Sequence, residues 1–295
     1  MSRRAAILLA LAASLSAGCG ASTREDPAGG AWPQLHPPRD RTRAVVWAVG
    51  DGADGSAPAK KLARRIRGGH PDWFLYLGDV YEGNTLSQFR RHYDSVYGRL
   101  KKITAPTPGN HEWPAHRRGY DRYWKGAKGG RTPAYYVFSL AGWRIFSLNS
   151  EAAHDSHSRQ LRWLRKELAR RPGSCSLAFW HRPRYSAGFH GDERDIAPFW
   201  RALRRHAVLV LNGHDHDLQR FRRRNGIVEL VDGAGGHERY PLHPGRKALA
   251  FGDDHDYGAL RLVLRRGRAS FAFVSAGGRK LDSGRASCRL PGTRP

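Results

Sequence analysis

The sequence predicts one α/β domain whose sheets are covered by other structure. Three observations lead there. Strand-like apolar runs alternate with amphipathic helical stretches from residue 44 to residue 211. Antiparallel strands then close the chain, and neither an internal repeat nor a second-domain boundary interrupts the pattern. The length of 295 residues is ample for such a core.

Residues 44–49 read as a buried strand ending at Gly50 and Asp51. A helix follows over 58–67, with Leu62 and Ile66 on one face, and Gly68 and Gly69 stop it. Residues 73–77 form the next strand and deliver Asp79. Residues 86–97 are helical in pattern, packing through Leu86, Phe89, Tyr93 and Val96. Residues 103–108 lead into the loop of Asn110. Residues 135–140 and 143–148 form a hairpin turned by Ala141 and Gly142. Residues 158–170 are amphipathic, with Leu161, Leu164 and Leu168 inward. A strand over 176–180 leads to His181, a helix over 196–205 follows, and a strand over 207–211 delivers Gly213. Strands at 227–231, 257–264 and 270–274 finish the chain.

Lys and Arg number 51 against 26 Asp and Glu, a formal charge of +25 at pH 7. Spread along the chain, this charge is either a solvated basic surface or an attraction for anionic partners: phosphate esters, nucleic acid, acidic lipid or cell wall. Arg220, Arg222, Arg223 and Arg224 form a local cluster that borders a cleft or lies on a hairpin exterior. The aromatic residues define no base-stacking platform. Trp113, Tyr120, Tyr123 and Trp124 either frame a pocket or pack the long loop after Asn110.

Residues 1–19 carry the pattern of an export signal: Arg3 and Arg4, an apolar run over 5–13, then small residues. The run is short for a membrane span. Cys19 stands where a bacterial lipoprotein carries its lipid; simple cleavage near Ala17 competes with that reading. The expected protein is exported, extracellular or attached to the cell envelope, monomeric, and in contact with the membrane only through that anchor. Residues 20–42 read as a flexible linker, 43–277 as the folded domain and 278–295 as a C-terminal tail. Cys175 and Cys288 either pair, tying the tail to the strand before His181, or remain separate thiols.

Metal-ligand residue types recur at the ends of the apolar runs: Asp51, then Gly78 and Asp79, then Gly109, Asn110, His111 and Glu112, then His181, then Gly213, His214, Asp215 and His216. A sheet protein gathers ligands at one rim in this way. A divalent pair needs oxygen and nitrogen donors on both ions and one bridging group. Asp79 suits the bridge, Asp51 and His216 the first ion, and Asn110, His181 and His214 the second. Imidazole with carboxylate favours transition metals over calcium. Two ions about 3.5–4 Å apart polarise phosphoryl oxygens and lower the pKa of a bridging water, which attacks phosphorus in line. His111 is placed to stabilise or protonate the leaving oxygen, with Glu112 or Asp215 orienting its ring. No Ser or Cys nucleophile is required. Taken singly these groups are ordinary turns; the ordered set is specific.

That set resembles the calcineurin-like metallophosphoesterase superfamily, whose pattern runs Asp, Gly-Asp, Gly-Asn-His-Asp/Glu, His and Gly-His-x-His. The resemblance covers about residues 43–277. It implies a four-layer α-β-β-α sandwich of two central mixed β-sheets with metals at the sheet edge. Tyr135-Tyr136, Trp163-Leu164 and Trp180-His181-Arg182-Pro183 look like the secreted bacterial branch, similar to the catalytic domain of purple acid phosphatases. The chain departs from the pattern at Ala53, where many members carry a His ligand. Purple acid phosphatases use instead a Tyr three residues after the bridging Asp. Here Glu82 holds that spacing and Tyr81 lies one residue early; Tyr81 is the expected ligand, and phenolate would favour ferric iron. The implied cofactors are two divalent or mixed-valence ions, Fe, Mn, Zn or a mixture.

His154, Asp155 and His157 form either a rim loop and helix start or a substrate contact, as do His190 and Asp192. Gly233 to His237 lacks the strand–loop–helix context of a nucleotide loop, and His237 is expected on the substrate side. Asn110, His111, His154 and His237 are thus the expected contacts for a small phosphorylated substrate. The leading expectation is an exported phosphomonoesterase. A phosphodiesterase or nuclease on an anionic polymer or phospholipid is the alternative, and an anion-binding surface protein that has lost catalysis is the third.

Overall fold

Parallel strands fill one half of the first sheet and the middle of the second, and send their C-terminal ends to one rim. The computed structural model describes residues 28–30, 42–81, 83–125, 132–243, 245 and 248–288. The export signal with Cys19, most of the linker, Glu82 and the last seven residues of the expected tail lie outside these.

In chain order the elements are β1 (Arg43–Val49), α1 (Ala57–Gly68), β2 (Trp73–Tyr76), α2 (Leu86–Tyr97), β3 (Thr104–Pro106), α3 (Tyr120–Tyr123), β4 (Tyr136–Leu140), β5 (Trp143–Ser147), α4 (Arg159–Arg170), β6 (Cys175–Phe179), α5 (Ala197–Leu203), β7 (Ala207–Asn212), β8 (Leu218–Phe221), β9 (Val228–Asp232), β10 (Leu249–Asp253), β11 (Gly258–Arg265), β12 (Arg268–Ser275) and β13 (Lys280–Ser287). One sheet has the order β13-β12-β11-β1-β2-β3 and the other β10-β8-β9-β7-β6-β5-β4. In the first, β1, β2 and β3 are parallel. In the second, β5, β6, β7 and β9 are parallel. Antiparallel strands flank both parallel sets, so both sheets are mixed, as expected.

Pleating explains why the central strands are apolar on both faces. Ile145, Leu177, Phe179, Leu209 and Leu211 join the main core, while Phe146, Ala178 and Val210 turn to a second core under α4 and α5. Leu161, Leu164 and Leu168 of α4 meet Phe199 and Leu203 of α5 there. On the first sheet Leu62 and Ile66 of α1 and Phe89 and Tyr93 of α2 join the main core. Three helices start at hydroxyl caps: Ser56, Thr85 and Ser158 accept from the N–H groups of Ala59, Gln88 and Leu161.

The boundaries differ from expectation at both ends. Part of the expected linker pairs with the domain: Gly30 donates to Tyr135 O at 3.2 Å, and Ala134 donates to Ala28 O at 3.3 Å. Part of the expected tail is β13, hydrogen-bonded along β12. The short or polar strands β8, β10 and β13 carry little apolar periodicity, because backbone pairing rather than a buried face holds β13. Cys175, the first residue of β6, and Cys288, just past β13, form a disulfide that joins the two sheets. Of the arginine cluster, Arg220 forms a bidentate pair with Asp282 at 2.6 and 2.9 Å, and Arg224 lies over the Tyr185 ring. Trp113, Tyr120, Tyr123 and Trp124 are buried; Tyr123 stacks on Phe89 and Trp124 meets Tyr93 edge-on, both on α2, so they pack the loop. Among the described residues no helix is long and apolar enough to cross a membrane.

Candidate metal centre

Each ligand-type residue lies just beyond a parallel strand. Asp51 follows β1, Asp79 follows β2, Asn110 follows β3, His181 follows β6, and His214 and His216 follow β7. Parallel strands end on the same side, which is where α/β sheets place their sites. Asp51, Asp79 and His214 all have left-handed backbone, at φ 58, 58 and 73°. For these residues that conformation is strained, and surrounding contacts must hold it.

Glycines permit the close approach. A Cβ on Gly109 would lie 2.0 Å from Asp79 Oδ1, and one on Gly213 would lie 2.6 Å from Asp51 Oδ2. Glu112 ties two of the loops together by accepting from the N–H groups of Gly109 (2.8 Å), Asp79 (3.3 Å) and Val80. Burial first, and the neighbouring Asp79 second, push Glu112 up to about 8. It therefore buttresses the ligand loops and does not orient His111.

Two donor groups result. On one side His181 Nε2 lies 3.3 Å from Asp79 Oδ2, 3.1 Å from Asn110 Oδ1 and 3.2 Å from His214 Nδ1. Donor atoms of Asp79, His181 and His214 all lie within 4.8 Å of one another, and all three residues are buried. On the other side the Tyr81 hydroxyl lies 2.5 Å from His216 Nε2 and 3.4 Å from Asp51 Oδ1, and His216 Nε2 is 3.6 Å from Asp51 Oδ1. Ala53 is buried and contributes no donor side chain; the Tyr81 hydroxyl stands beside Asp51 instead.

The electrostatics fit cation binding. Burial opposes charging His181, yet Asp79 prevails and raises the imidazole to about 10, so the pair calls for positive charge between them. Burial, then His181 and Arg182, hold His214 well below the usual histidine range, leaving it a neutral donor. Burial, then Asp51 and Asp79, push the Tyr81 phenol up; phenolate there requires a cation. Outer contacts fix the rings, as metal-ligating histidines need: His181 Nδ1 donates to Leu77 O at 2.9 Å and His216 Nδ1 to Glu238 O at 2.7 Å.

The donors open onto a cavity of about 550 Å³. His111, half exposed, faces it with Nε2 3.9 Å from Asp79 Oδ2. His237 also lines it, stacked on Tyr81 at 3.7 Å, with Nδ1 3.3 Å from Asp54 Oδ2. Two expectations are corrected. His154 is buried away from the cavity: its Nδ1 is bonded to Ala152 O at 2.7 Å and its ring packs near Phe199, because the helix α5 covers it. Asp215 does not orient His111. Its carboxylate accepts from Ser186 Oγ and from the N–H of His190 at 2.8 Å, pinning a neighbouring loop. His92, Tyr240 and Asp54 line the cavity without having been singled out, and His190 joins them. No local pattern marks Tyr240, which stacks on His216 at 4.0 Å.

Residues 42–218 match the family model described as calcineurin-like phosphoesterase. The chain belongs to that family. Calcineurin-like phosphoesterases are metal-dependent phosphoester hydrolases, and the purple acid phosphatase type uses a dimetal centre. Among relatives, tartrate-resistant acid phosphatase type 5 of Rattus norvegicus is 25% identical over 268 residues, covering 76% of this chain and 81% of its own. Purple acid phosphatase 15 of Arabidopsis thaliana is 27% identical, covering 57% of this chain, which spans only 40% of that protein. Two solved structures share the fold. Purple acid phosphatase PPD1 from yellow lupin (Lupinus luteus) has a TM-score of 0.64 and 18% identity, covering 85% of this chain and 55% of its own. GAP50 of Plasmodium, described as the anchor in the inner membrane complex, has a TM-score of 0.70 and 14% identity, covering 86% and 91%.

Proposed function

We propose that this calcineurin-like phosphoesterase is an exported, monomeric phosphomonoesterase holding Fe, Mn, Zn or a mixture at two sites. The observation that carries it is the pair of donor groups beside Asp79: Asp51, Tyr81 and His216 on one side, Asn110, His181 and His214 on the other. A protein with the fold alone, such as an anchor, has no need of strained, buried ligands converging on a cavity. Bound there, the two ions supply Lewis acidity toward the phosphoryl oxygens and a nucleophilic water at neutral pH. Asn110 and His111 reach the cavity to hold the phosphoryl group, and His111, exposed on one side, can pass a proton to the leaving oxygen. His237, held by Asp54 and Tyr81, lines the same cavity and is assigned a substrate contact.

A cavity of about 550 Å³ at the donors suits a small monoester. The signal-like residues 1–19 and the Cys175–Cys288 disulfide support export to an oxidising compartment. Among the described residues Phe189 is the only large apolar side chain exposed, which supports a monomer.

The test is metal analysis of purified protein together with hydrolysis of a phosphomonoester and a phosphodiester across pH. Two transition metals per chain, monoester preference and loss of turnover in Asp79→Ala are expected. Turnover confined to the diester would reassign the substrate; no turnover after metal loading would remove the catalytic reading. Fractionation of cells expressing the full chain tests export.

A further inference from the structure

We propose that Phe189, with Tyr240 and His190, forms an aromatic rim that stacks a flat ring in the leaving group, so that the enzyme favours aryl- or base-bearing phosphate monoesters. This rests on the phosphoesterase reading of the adjacent cavity.

Phe189 is 62% exposed. An isolated exposed apolar residue is ordinary, but Phe189 is not isolated. Its ring lies 5.2 Å from the His190 ring and 5.4 Å from the Tyr240 ring. Those two rings in turn lie stacked on ligands: His190 on His214 at 4.1 Å and Tyr240 on His216 at 4.0 Å. An aromatic surface therefore runs without a break from the donor groups outward to Phe189. A phosphoryl group seated on the donors places its leaving group against that wall.

The loop presents the ring rather than letting it fold inward. The N–H of Gly188 donates to Ser186 Oγ at 2.9 Å, that hydroxyl is bonded to Asp215, and the N–H of His190 donates to Asp215 at 2.8 Å. Ala187 N–H donates to Gln219 Oε1 at 2.7 Å. A Cβ on Gly188 would sit 2.5 Å from the Asp215 carboxyl, so glycine allows the loop to lie directly on the His214–His216 segment. The rim is thus fixed to the ligands by the carboxylate between them. Flat rings stack on such surfaces whatever their hydrogen-bonding edge, which is why phenyl and nucleobase are chemically one class here.

The experiment measures binding of benzylphosphonate and cyclohexylmethylphosphonate to the metal-loaded protein, in wild type and in Phe189→Ala, Phe189→Leu and Phe189→Trp. The wild type is expected to favour the flat ring by about 3- to 10-fold. That preference should collapse in Phe189→Ala and Phe189→Leu, and persist in Phe189→Trp. Equal binding by the wild type, or a preference retained in Phe189→Leu, overturns the proposal. Comparing a nucleoside 5′-monophosphate with ribose 5-phosphate separates the sources: preference for the nucleotide assigns a base, and preference with benzyl alone assigns a short aryl group. Absence of turnover on every ester would sink the phosphoesterase reading, while the phosphonate ratio would still decide the rim.

Discussion

The Asp51 carboxylate accepts a 2.9 Å hydrogen bond from the backbone N–H of His214, joining the first ligand loop of the chain to the last. The same carboxylate is a donor for the proposed first metal. Asp51→Asn retains an acceptor but loses the charge; Asp51→Ala loses both. Both variants should lose metal at that position and fall in activity by about 100-fold or more. Only Asp51→Ala should also destabilise the metal-free fold, by about 1–3 kcal/mol, since the buried N–H is left unpaired. Metal content by mass spectrometry and denaturant unfolding of the metal-free proteins check the two effects separately.

Metal uptake should release a proton from His181. Its folded value, about 10 in the metal-free protein, lies above the ordinary 6.5. At pH 7 the ring is therefore charged, and a cation must displace its proton. Affinity should rise with pH, by about tenfold per unit where one proton is exchanged. Calorimetric titration in buffers of different ionisation enthalpy reads the proton count; a count of zero would refute it. The same shift stabilises the metal-free fold fully below about pH 6.5 and is lost as pH rises through about 10.

Tyr81→Phe should separate the two donor groups. Iron-loaded wild type should show a visible charge-transfer band from phenolate, and the variant should lose it. Metal held by Asp79, His181 and His214 should remain, because the Tyr81 hydroxyl contacts Asp51 and His216. An unchanged spectrum in the variant would remove Tyr81 from the ligand set.

Gly109→Ala should impair the centre without removing any donor. The new methyl must displace Asp79, whose Oδ1 would otherwise be 2.0 Å away. Misplacement on the order of 1 Å costs about 100-fold in rate. Steady-state kinetics with metal in excess should show kcat, more than KM, reduced.

The disulfide closes a sequence separation of 113 residues. Replacing Cys288 with Ser should lower stability by about 2–5 kcal/mol. Reductant should shift the unfolding midpoint of the wild type and not that of the variant. Equal midpoints with and without reductant would show that the bridge adds nothing.

The sequence by itself determined the ligand-bearing loops and most elements. Each strand before a candidate ligand is locally apolar, and every loop except that of His181 carries a glycine next to its donor, so composition along the chain reveals both. The structure brings Asp51, Asp79, Asn110, His181, His214 and His216 to one rim, as their places after the apolar runs predict, and their binding of metal is the proposal. Only the tertiary structure decided what the loops meet. His154 and Asp215 have the right chemistry but face a buried wall and a pinned loop, and Tyr240 reaches the cavity, with Phe189 against its ring, with no local pattern to announce it. Sheet order sets those distances, and it arises from pairing and burial between segments far apart in the chain. Periodicity reports which face of a strand is apolar; it carries no term for which distant loop lies across from it.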